Sequence, residues 1–172
     1  MRKIILYIAA SLDGFIAKED GSVDWLHKYE SPSDDDYGYS AFESNIDTLL
    51  MGRKTYEQVL EFGEWPYKGK KCYVFTKKSI EDARVTAISN PIEFTKSLLD
   101  RDGKNIWLVG GSQIITLLMN YKLVDKIIIT VMPVILGNGI PLFTNIASEI
   151  NCKLLSEKSY KSGLIQMHYK IQ

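Results

Sequence analysis

Two segments of this chain repeat one pattern, in which an apolar run ends in glycine and a run of helical character follows at once. The segments are IDTLLMGRKTYEQVL at 46–60 and NIWLVGGSQIITLL at 105–118. Glycine at a strand end lets another group approach the backbone, and the first amides of the following helix point back at the same gap. Because such amides attract anions, each segment predicts either a plain turn or a place that can hold phosphate.

Short apolar segments alternate with helical patterns along most of the chain, which is typical of a mostly parallel sheet covered on both faces. The C-terminal part differs, because its residues alternate between apolar and polar from 164 to 171, with Ile165 and Met167 on one predicted face and Gln166 and His168 on the other. We therefore predict an α/β fold with a mostly parallel central sheet, flanking helices and a C-terminal antiparallel hairpin. The predicted strands are 3–10, 47–51, 71–76, 83–88, 105–109 and 125–132, the hairpin strands are 152–160 and 164–171, and the predicted helices are 38–46, 53–61, 91–101 and 112–121.

Bulk properties limit the class of protein. The chain has 172 residues, enough for one well-buried core, so we expect a single domain over 1–172. Lys plus Arg and Asp plus Glu both total 21, and the basic residues are scattered, so nucleic acid is not an expected partner. No run approaches the roughly 20 apolar residues that cross a bilayer. The apolar N-terminus resembles a secretion signal, but Asp13 interrupts it and a first core strand is the better interpretation.

The cysteines bear on metal binding and on location. Cys72 and Cys152 are far apart in sequence, and neither belongs to a cluster of metal-ligand type. We therefore expect no metal and no need for an oxidising compartment, and we predict a cytoplasmic protein. One long connection, 18–37, has no obvious element of its own, and such a segment in a compact domain is often functional.

Residues beside the first glycine turn favour phosphate. Gly52 is followed by Arg53, Lys54 and Thr55, which places cations and a hydroxyl at a predicted helix start. A guanidinium and a helix dipole directed at one gap attract phosphate, although Arg53 can equally be a solvated side chain. With two such turns in one sheet, the pyrophosphate of a dinucleotide could lie between adjacent helix starts.

A third strand end bears on which dinucleotide would bind. In KKCYVFTKKS the predicted strand ends at Thr76, before Lys77 and Lys78. Cations there suit the extra phosphate on the adenosine ribose of NADPH, whereas Asp or Glu would suit NADH. A polar turn explains the lysines equally well. The usual G-x-G-x-x-G fingerprint is absent, so a nicotinamide cofactor would bind on another plan.

The ordered set of motifs resembles the dihydrofolate reductase superfamily. ILYIAASLDGFIA resembles its first strand and the start of its mobile active-site loop, LLMGRKTYEQV resembles its M-G-R-x-T-[WY]-E pattern, and WLVGGSQII resembles its GG-helix turn. KIIITVMPVILGNGIPLF is more similar to the reductase domain of the bifunctional riboflavin-biosynthesis deaminase/reductase, the RibD C-terminal domain, than to folate reductases. The resemblance runs in order over 3–143 and implies a dihydrofolate-reductase-like fold and NADPH as cofactor. It further implies hydride transfer to a small heterocyclic or sugar-derived imine or carbonyl, such as a 5-amino-6-ribosylaminouracil-like compound.

The resemblance also implies where the site residues lie. The implied cofactor positions border the nicotinamide, hold phosphate or lie near the ribose phosphate. They are Ala9, Ile16 and Ala17 at the nicotinamide; Gly52, Arg53, Lys54 and Thr55 at the first phosphate turn; Thr76 and Lys77 at the ribose phosphate; and Val109, Gly110, Gly111, Ser112, Gln113 and Ile114 at the second phosphate turn. On the substrate side, the resemblance implies Trp25 and Thr130.

Two aspartates are candidates for the active-site acid. Asp36 lies near the helix that precedes LLMGR, where the alignment slips between Asp35, Asp36 and Gly38. Asp13 lies in a Leu-Asp-Gly sequence that resembles riboflavin-type reductases. The alternatives are structural, since aspartate also caps helices and Asp-Gly also forms turns.

Competing functions follow from departures from the folate reductase pattern. After Trp25 this chain reads LHKYESPSDDDY, where folate reductases carry a Pro-bearing segment, so folate reduction is an alternative rather than the main prediction. His27 and His168 are the only histidines, so the zinc-binding deaminase domain of the riboflavin enzyme is not expected. A non-catalytic nucleotide-binding module and a purely structural protein are alternatives from other classes. Riboflavin-type reductases resemble one another in pairing as dimers, which implies a homodimer through the MPVILG run or the terminal hairpin.

Overall fold

A computed structural model describes residues 1–29 and 36–172. Residues 30–35, which include Asp35, lie outside the described residues. The strands are β1 Ile4–Ser11, β2 Phe15–Ala17, β3 Ile46–Gly52, β4 Lys71–Phe75, β5 Val85–Ile88, β6 Asn105–Gly110, β7 Lys126–Met132, β8 Ile140–Pro141, β9 Cys152–Ser159 and β10 Ile165–Ile171. The helices are α1 Tyr39–Glu43, α2 Arg53–Glu61, α3 Pro91–Leu99 and α4 Ser112–Asn120, and a 3₁₀ segment spans Asp24–Tyr29.

Eight strands form one sheet in the order β5-β4-β3-β6-β1-β7-β10-β9. The six strands from β5 to β7 pair in parallel, whereas β10 pairs antiparallel with both β7 and β9. This arrangement confirms the prediction of a dihydrofolate-reductase-like, mostly parallel sheet with flanking helices and a C-terminal antiparallel hairpin. The carboxyl ends of the parallel strands therefore meet at one edge of the sheet.

Both faces of the parallel part are covered, which explains why its strands are apolar almost throughout. Leu49, Leu50 and Met51 are consecutive in β3 and all fully buried. Leu50 packs in the core cluster that contains α4 side chains such as Leu118, whereas Leu49 and Met51 pack in the cluster that contains Val59 of α2. Alternate residues of one strand thus anchor helices on opposite faces.

Three local features differ from the sequence prediction. The connection 18–37 contains the 3₁₀ segment Asp24–Tyr29, and β2 pairs with β8 in a small second sheet that the sequence did not predict. The alternation in β10 predicts the strand correctly, yet Ile165 is 45% exposed and Gln166 only 5%. Gln166 is buried because its face of the sheet lies beneath the segment that leads into α1, where the Tyr37 carbonyl accepts a hydrogen bond from its side chain.

The described residues bear on the expectations about membranes and metals. No helix within 1–29 and 36–172 is both long enough and apolar enough to span a bilayer. Among the same residues, no group of three His, Cys, Asp or Glu side chains is placed to hold a metal ion.

Candidate active site

The two glycine turns lie side by side at the carboxyl edge of the sheet. β3 and β6 are neighbours, with Met51 opposite Gly110. A Cβ atom built on Gly52 would lie 3.8 Å from the Gly111 amide nitrogen, and one built on Gly111 would lie 3.3 Å from the Thr55 hydroxyl oxygen. The starts of α2 and α4 therefore converge on one place.

Backbone conformation does not require glycine at either helix start. All twelve glycines of the chain lie in the described part, and ten of them have positive φ values that favour glycine. The two exceptions are Gly52, at φ −78°, and Gly111, at φ −80°, conformations that any L-residue adopts. What Gly52 and Gly111 share is that each lies close to the other helix start. A side chain at either position would fill the space between the two helix starts.

Both helix starts keep their first amides free of side-chain caps. No described side chain caps α2 at Gly52 or α4 at Gly111, and each helix is nine residues long. The first N–H groups of a helix have no partner within the helix and carry its partial positive charge. Two uncapped starts next to each other thus form a local site with affinity for an anion.

Arg53 adds a buried donor to this place. Its Nε donates to the Glu57 carboxylate at 2.7 Å, whereas its Nη1 is buried and has no hydrogen-bond partner within the described residues. A guanidinium N–H without a partner is costly unless a ligand or water accepts from it. The residues at the glycine turns therefore fit a phosphate group.

The remaining predicted cofactor residues surround these turns on three strands. Phe75 of β4 pairs with Gly52, so Thr76 follows directly beside the first turn, and its hydroxyl oxygen accepts from the Lys78 amide at 3.0 Å. Lys54, Lys77 and Gln113 are exposed, whereas Val109 and Ile114 are half-buried.

The second glycine turn also contacts the small sheet of β2 and β8. The Ser112 hydroxyl donates to the Pro141 carbonyl at 2.6 Å and so holds β8 in place. Ile16 and Ala17 lie in β2, where Ala17 pairs with Ile140.

The residues predicted on the substrate side lie at the same carboxyl edge of the sheet, on or next to the strands beyond β6. Ala9 of β1 pairs with Thr130 of β7, which pairs in turn with Gln166 of β10. Trp25, in the 3₁₀ segment, packs in the cluster that borders Ala9 and is 6% exposed. Its indole Nε1 is buried and has no partner within the described part of the chain. The structure thus places Ala9 beside Thr130 and against the cluster that contains Trp25.

Comparison with known proteins shows the family of this chain. A model of the RibD C-terminal domain family matches residues 67–166. YwjB of Bacillus subtilis is 45% identical over 172 residues, which cover 98% of this chain and 97% of YwjB. The chain belongs to the RibD C-terminal domain family.

Solved structures have the same fold as this RibD C-terminal domain. A protein from Shewanella sp. PV-4, named for riboflavin biosynthesis, matches with a TM-score of 0.90 at 29% identity and 99% coverage of both chains. The deaminase/5-amino-6-(5-phosphoribosylamino)uracil reductase of Thermotoga maritima matches with a TM-score of 0.73 at 15% identity. That match covers 99% of this chain and 57% of the Thermotoga chain, so the similarity is to part of a longer protein.

Both candidate acids of this RibD C-terminal domain make structural hydrogen bonds. Asp36 accepts from the amides of Gly38 at 2.9 Å and Ser40 at 2.8 Å, at the start of α1. Hydrogen bonds from Ser40 hold the pKa of Asp36 below its usual value. The hydrogen bond from the Ser11 hydroxyl has the same effect on the pKa of Asp13. A carboxyl with a lowered pKa is ionised at neutral pH, so neither group is poised to release a proton there.

Two residues near the substrate side were missed by the sequence analysis. Tyr7 lies on the same face of β1 as Ala9, and its hydroxyl oxygen lies 3.5 Å from the Gln166 amide nitrogen. Its ring stacks on Phe42 of α1 with a centroid separation of 4.3 Å. The sequence does contain a hint of both residues, because each is a polar side chain within a predicted strand. A buried tyrosine or glutamine needs a hydrogen-bond partner for its polar end.

Asp13 also connects the end of β1 to the loop after β7 through hydrogen bonds. Its carboxylate accepts from the amides of Leu136 at 3.1 Å and Gly137 at 2.8 Å. Asp13→Ala is expected to speed hydrogen exchange of these two amides by about tenfold, because the opening of that loop loses its closing contacts. Exchange followed by NMR measures this effect, and Asp20→Ala, which removes another exposed aspartate with a lowered pKa, is the matched control.

The same contact has a defined pH dependence. Because the folded-state pKa of Asp13 is lowered, its contribution is fully present above the ordinary aspartate value and is lost as pH falls through the lowered pKa. Wild-type protection of the Leu136 and Gly137 amides should therefore fade only in that acidic range. Unchanged exchange in Asp13→Ala would contradict the assigned role.

Proposed function

We propose that this chain is an NADPH-dependent reductase that transfers a hydride to a small heterocyclic or sugar-derived imine or carbonyl. Membership of the RibD C-terminal domain family indicates a reductase. The single observation that best supports the cofactor is the pair of adjacent helix starts at Gly52 and Gly111, which no described side chain caps, with the Arg53 Nη1 beside them, which no described residue accepts from. An elongated ligand with a pyrophosphate is complementary to that arrangement.

The proposal divides the cofactor residues by task. Gly52, Arg53, Lys54 and Thr55 would hold phosphate together with the turn from Val109 to Ile114, while Thr76 and Lys77 would lie near the ribose phosphate. Ala9, Ile16 and Ala17 would border the nicotinamide. NADPH supplies the hydride, so the protein needs chiefly to align its ring with an electrophilic carbon and to exclude water.

On the substrate side, Trp25 and Thr130 would contact the ring to be reduced. The buried Trp25 indole N–H has no acceptor among residues 1–29 and 36–172, which supports this assignment, because a buried donor needs an acceptor such as a ligand or water. Asp13 and Asp36 stay candidates for the acid, and delivery of the proton by water is the alternative that their lowered pKa values favour. We propose no metal or nucleic acid partner and a cytoplasmic location.

The deciding experiment follows NADPH oxidation at 340 nm with two candidate substrates. We expect turnover with 5-amino-6-(5-phosphoribosylamino)uracil, the compound in the name of the Thermotoga relative, and none with dihydrofolate. Turnover with dihydrofolate would instead support a folate reductase. Calorimetric binding of NADPH without oxidation on any imine, carbonyl or pterin substrate would support a non-catalytic nucleotide-binding module, and absence of binding to NADPH and NADH would reject the proposal.

We further propose that the chain forms a homodimer through the terminal hairpin. β9 is an edge strand whose residues are all exposed, and it carries Leu154 and Leu155 at 46% and 48% exposure. Exposed edge strands with apolar side chains favour pairing with a second chain. Leu155→Lys is expected to convert a dimer into a monomer, measured by light scattering at several concentrations. Phe62→Lys, an equally large change at another exposed site, should leave the dimer intact, and a monomeric wild type would refute the idea.

A further inference from the structure

One buried side-chain amide connects the substrate side of the site to the start of α1. The Gln166 Nε2 lies 3.1 Å from the Thr130 hydroxyl, 3.2 Å from the Tyr37 carbonyl and 3.5 Å from the Tyr7 hydroxyl. Its Oε1 lies 3.1 Å from the Nε2 of His168. Gln166 is 5% exposed and Thr130 is 8% exposed, so these hydrogen bonds form where water has little access.

The chemistry of these neighbours decides which way the amide points. A backbone carbonyl only accepts hydrogen bonds, so the group that faces the Tyr37 carbonyl must be the NH₂ of Gln166. The amide oxygen therefore faces His168, whose Nε2 must carry a hydrogen to donate to it. Burial lowers the pKa of His168, and the positive charge of Lys126 lowers it further, which favours a neutral ring. The contact with the amide oxygen then places the single ring hydrogen on Nε2.

This orientation determines how the two hydroxyls behave. Neither Thr130 nor Tyr7 can donate to the Gln166 Nε2, because an amide nitrogen does not accept hydrogen bonds. Each hydroxyl hydrogen must point elsewhere, and within 1–29 and 36–172 no hydrogen bond gives either of them a protein acceptor. Burial raises the pKa of Tyr7, so its hydroxyl keeps its hydrogen at neutral pH.

The two hydroxyls lie beside a residue that is predicted to border the nicotinamide. Thr130 pairs with Ala9, which is half-buried and predicted to border the nicotinamide, and Tyr7 is half-buried on the same face two residues earlier. Around Gln166 the site therefore offers two hydroxyl hydrogens that have no protein acceptor among the described residues. A ring carbonyl oxygen would accept from these hydrogens, whereas an amino group on the ring is a poor acceptor and would leave the hydroxyl hydrogens unsatisfied.

We propose that Gln166 is a positioning residue that makes the hydroxyls of Thr130 and Tyr7 hydrogen-bond donors, so that this side of the site selects a ring that presents a carbonyl oxygen. The inference rests on the proposed function in that the selected ring is the one to be reduced. It adds a specificity rule, because recognition depends on an acceptor carried by the substrate.

The test compares two ring probes by isothermal titration in the presence of saturating NADP⁺. 5,6-Diaminouracil carries ring carbonyls, and 2,4,5,6-tetraaminopyrimidine carries amino groups in their places. We expect the wild type to bind the uracil at least about tenfold more tightly, as each satisfied donor contributes a modest net gain. Equal or reversed affinity for the two probes would overturn the proposal.

Variants assign the preference to Gln166. Gln166→Glu keeps the shape but offers an acceptor, so both hydroxyls would donate to it and the tenfold preference should disappear. Thr130→Val and Tyr7→Phe should each reduce the preference, because each removes one donor. These two variants keep the test valid if Gln166→Glu unfolds the protein by placing a carboxylate opposite the Tyr37 carbonyl. Tyr67→Phe is the matched control, since Tyr67 belongs to the same aromatic cluster but makes no hydrogen bond to Gln166 or Thr130.

The NADPH affinity of each variant separates this inference from the proposed function. We expect it to be unchanged in all four variants, because the contacts around Gln166 do not include either glycine turn. If the wild type fails to bind NADPH, the proposed function is wrong. The selectivity between the two ring probes can then be measured without NADP⁺, and it still tests the donor arrangement. If the wild type binds NADPH and the Gln166→Glu protein keeps the full preference for the uracil, only the inference about Gln166 is wrong.

Discussion

Gly111→Ala is expected to weaken NADPH binding by about 100-fold or more while leaving the protein folded. The φ of −80° at Gly111 suits alanine, and the new Cβ would lie 3.3 Å from the Thr55 hydroxyl, which a shift of a few tenths of an ångström relieves. The methyl group would, however, occupy the gap between the two helix starts, so a phosphate would lose two or more charge-assisted hydrogen bonds. Calorimetric titration with NADPH measures the loss, and thermal unfolding of the same sample measures the effect on stability.

Gly69→Ala is the matched control for this change. Gly69 has a φ of +77°, and a Cβ there would meet nothing within 4 Å. Alanine at Gly69 therefore costs about 1 kcal/mol of backbone strain without filling any space. We expect the opposite result in the two variants: Gly69→Ala lowers the melting temperature and retains NADPH affinity, whereas Gly111→Ala loses affinity with little effect on melting. Full NADPH affinity in Gly111→Ala would refute the proposed phosphate site.

Arg53→Ala is expected to cost about 1.5–3 kcal/mol of NADPH binding, which is roughly a 10- to 150-fold loss of affinity. The reason is the buried Nη1, which has no partner within the described residues and would donate to a phosphate oxygen. Because the contact is between opposite charges, raising the salt concentration should weaken wild-type binding more than binding by the variant. Titrations of both proteins at low and high salt measure this difference.

Two further variants test whether the effect belongs to the site. Arg101→Ala removes the same charge at the other end of the fold, where its guanidinium lies over the Phe94 ring, and should leave NADPH affinity unchanged. Glu57→Gln removes the carboxylate that now accepts from Arg53 Nε, so affinity should stay the same or rise. An equal loss in Arg53→Ala and Arg101→Ala would show that only general electrostatics is involved.

Local patterns predicted most of the elements of this fold. The apolar runs that became β3 and β6 are buried on both faces, and the alternating end of the chain became β10. Such runs have few alternatives, because continuous burial requires cover on both sides and short strands of this kind alternate with helices only in a parallel sheet. The elements that sequence did not predict, β2, β8 and the 3₁₀ segment, are two to six residues long. Elements of that length have no measurable periodicity and depend on their partners.

The candidate site was predictable in part for the same reason. Gly52, Arg53, Gly110 and Gly111 stand at strand-to-helix turns that can be read from neighbouring residues. Gln166 could not be assigned in this way, because the sequence shows a polar residue in an alternating strand and does not show what covers that face. Its burial beneath the segment that leads into α1 depends on residues over 120 positions away, such as Tyr37 at a separation of 129.

The sequence by itself thus determined the strands, the helices, their glycine turns and the family resemblance, since these depend on residues close together in the chain. Only the tertiary structure decided that the starts of α2 and α4 lie next to each other and that the Arg53 Nη1 is buried with no partner in the part of the chain that the structure describes. It also decided that Gln166 faces Thr130 and Tyr7. These facts depend on strand order and on contacts between distant segments, which local propensity and periodicity do not encode.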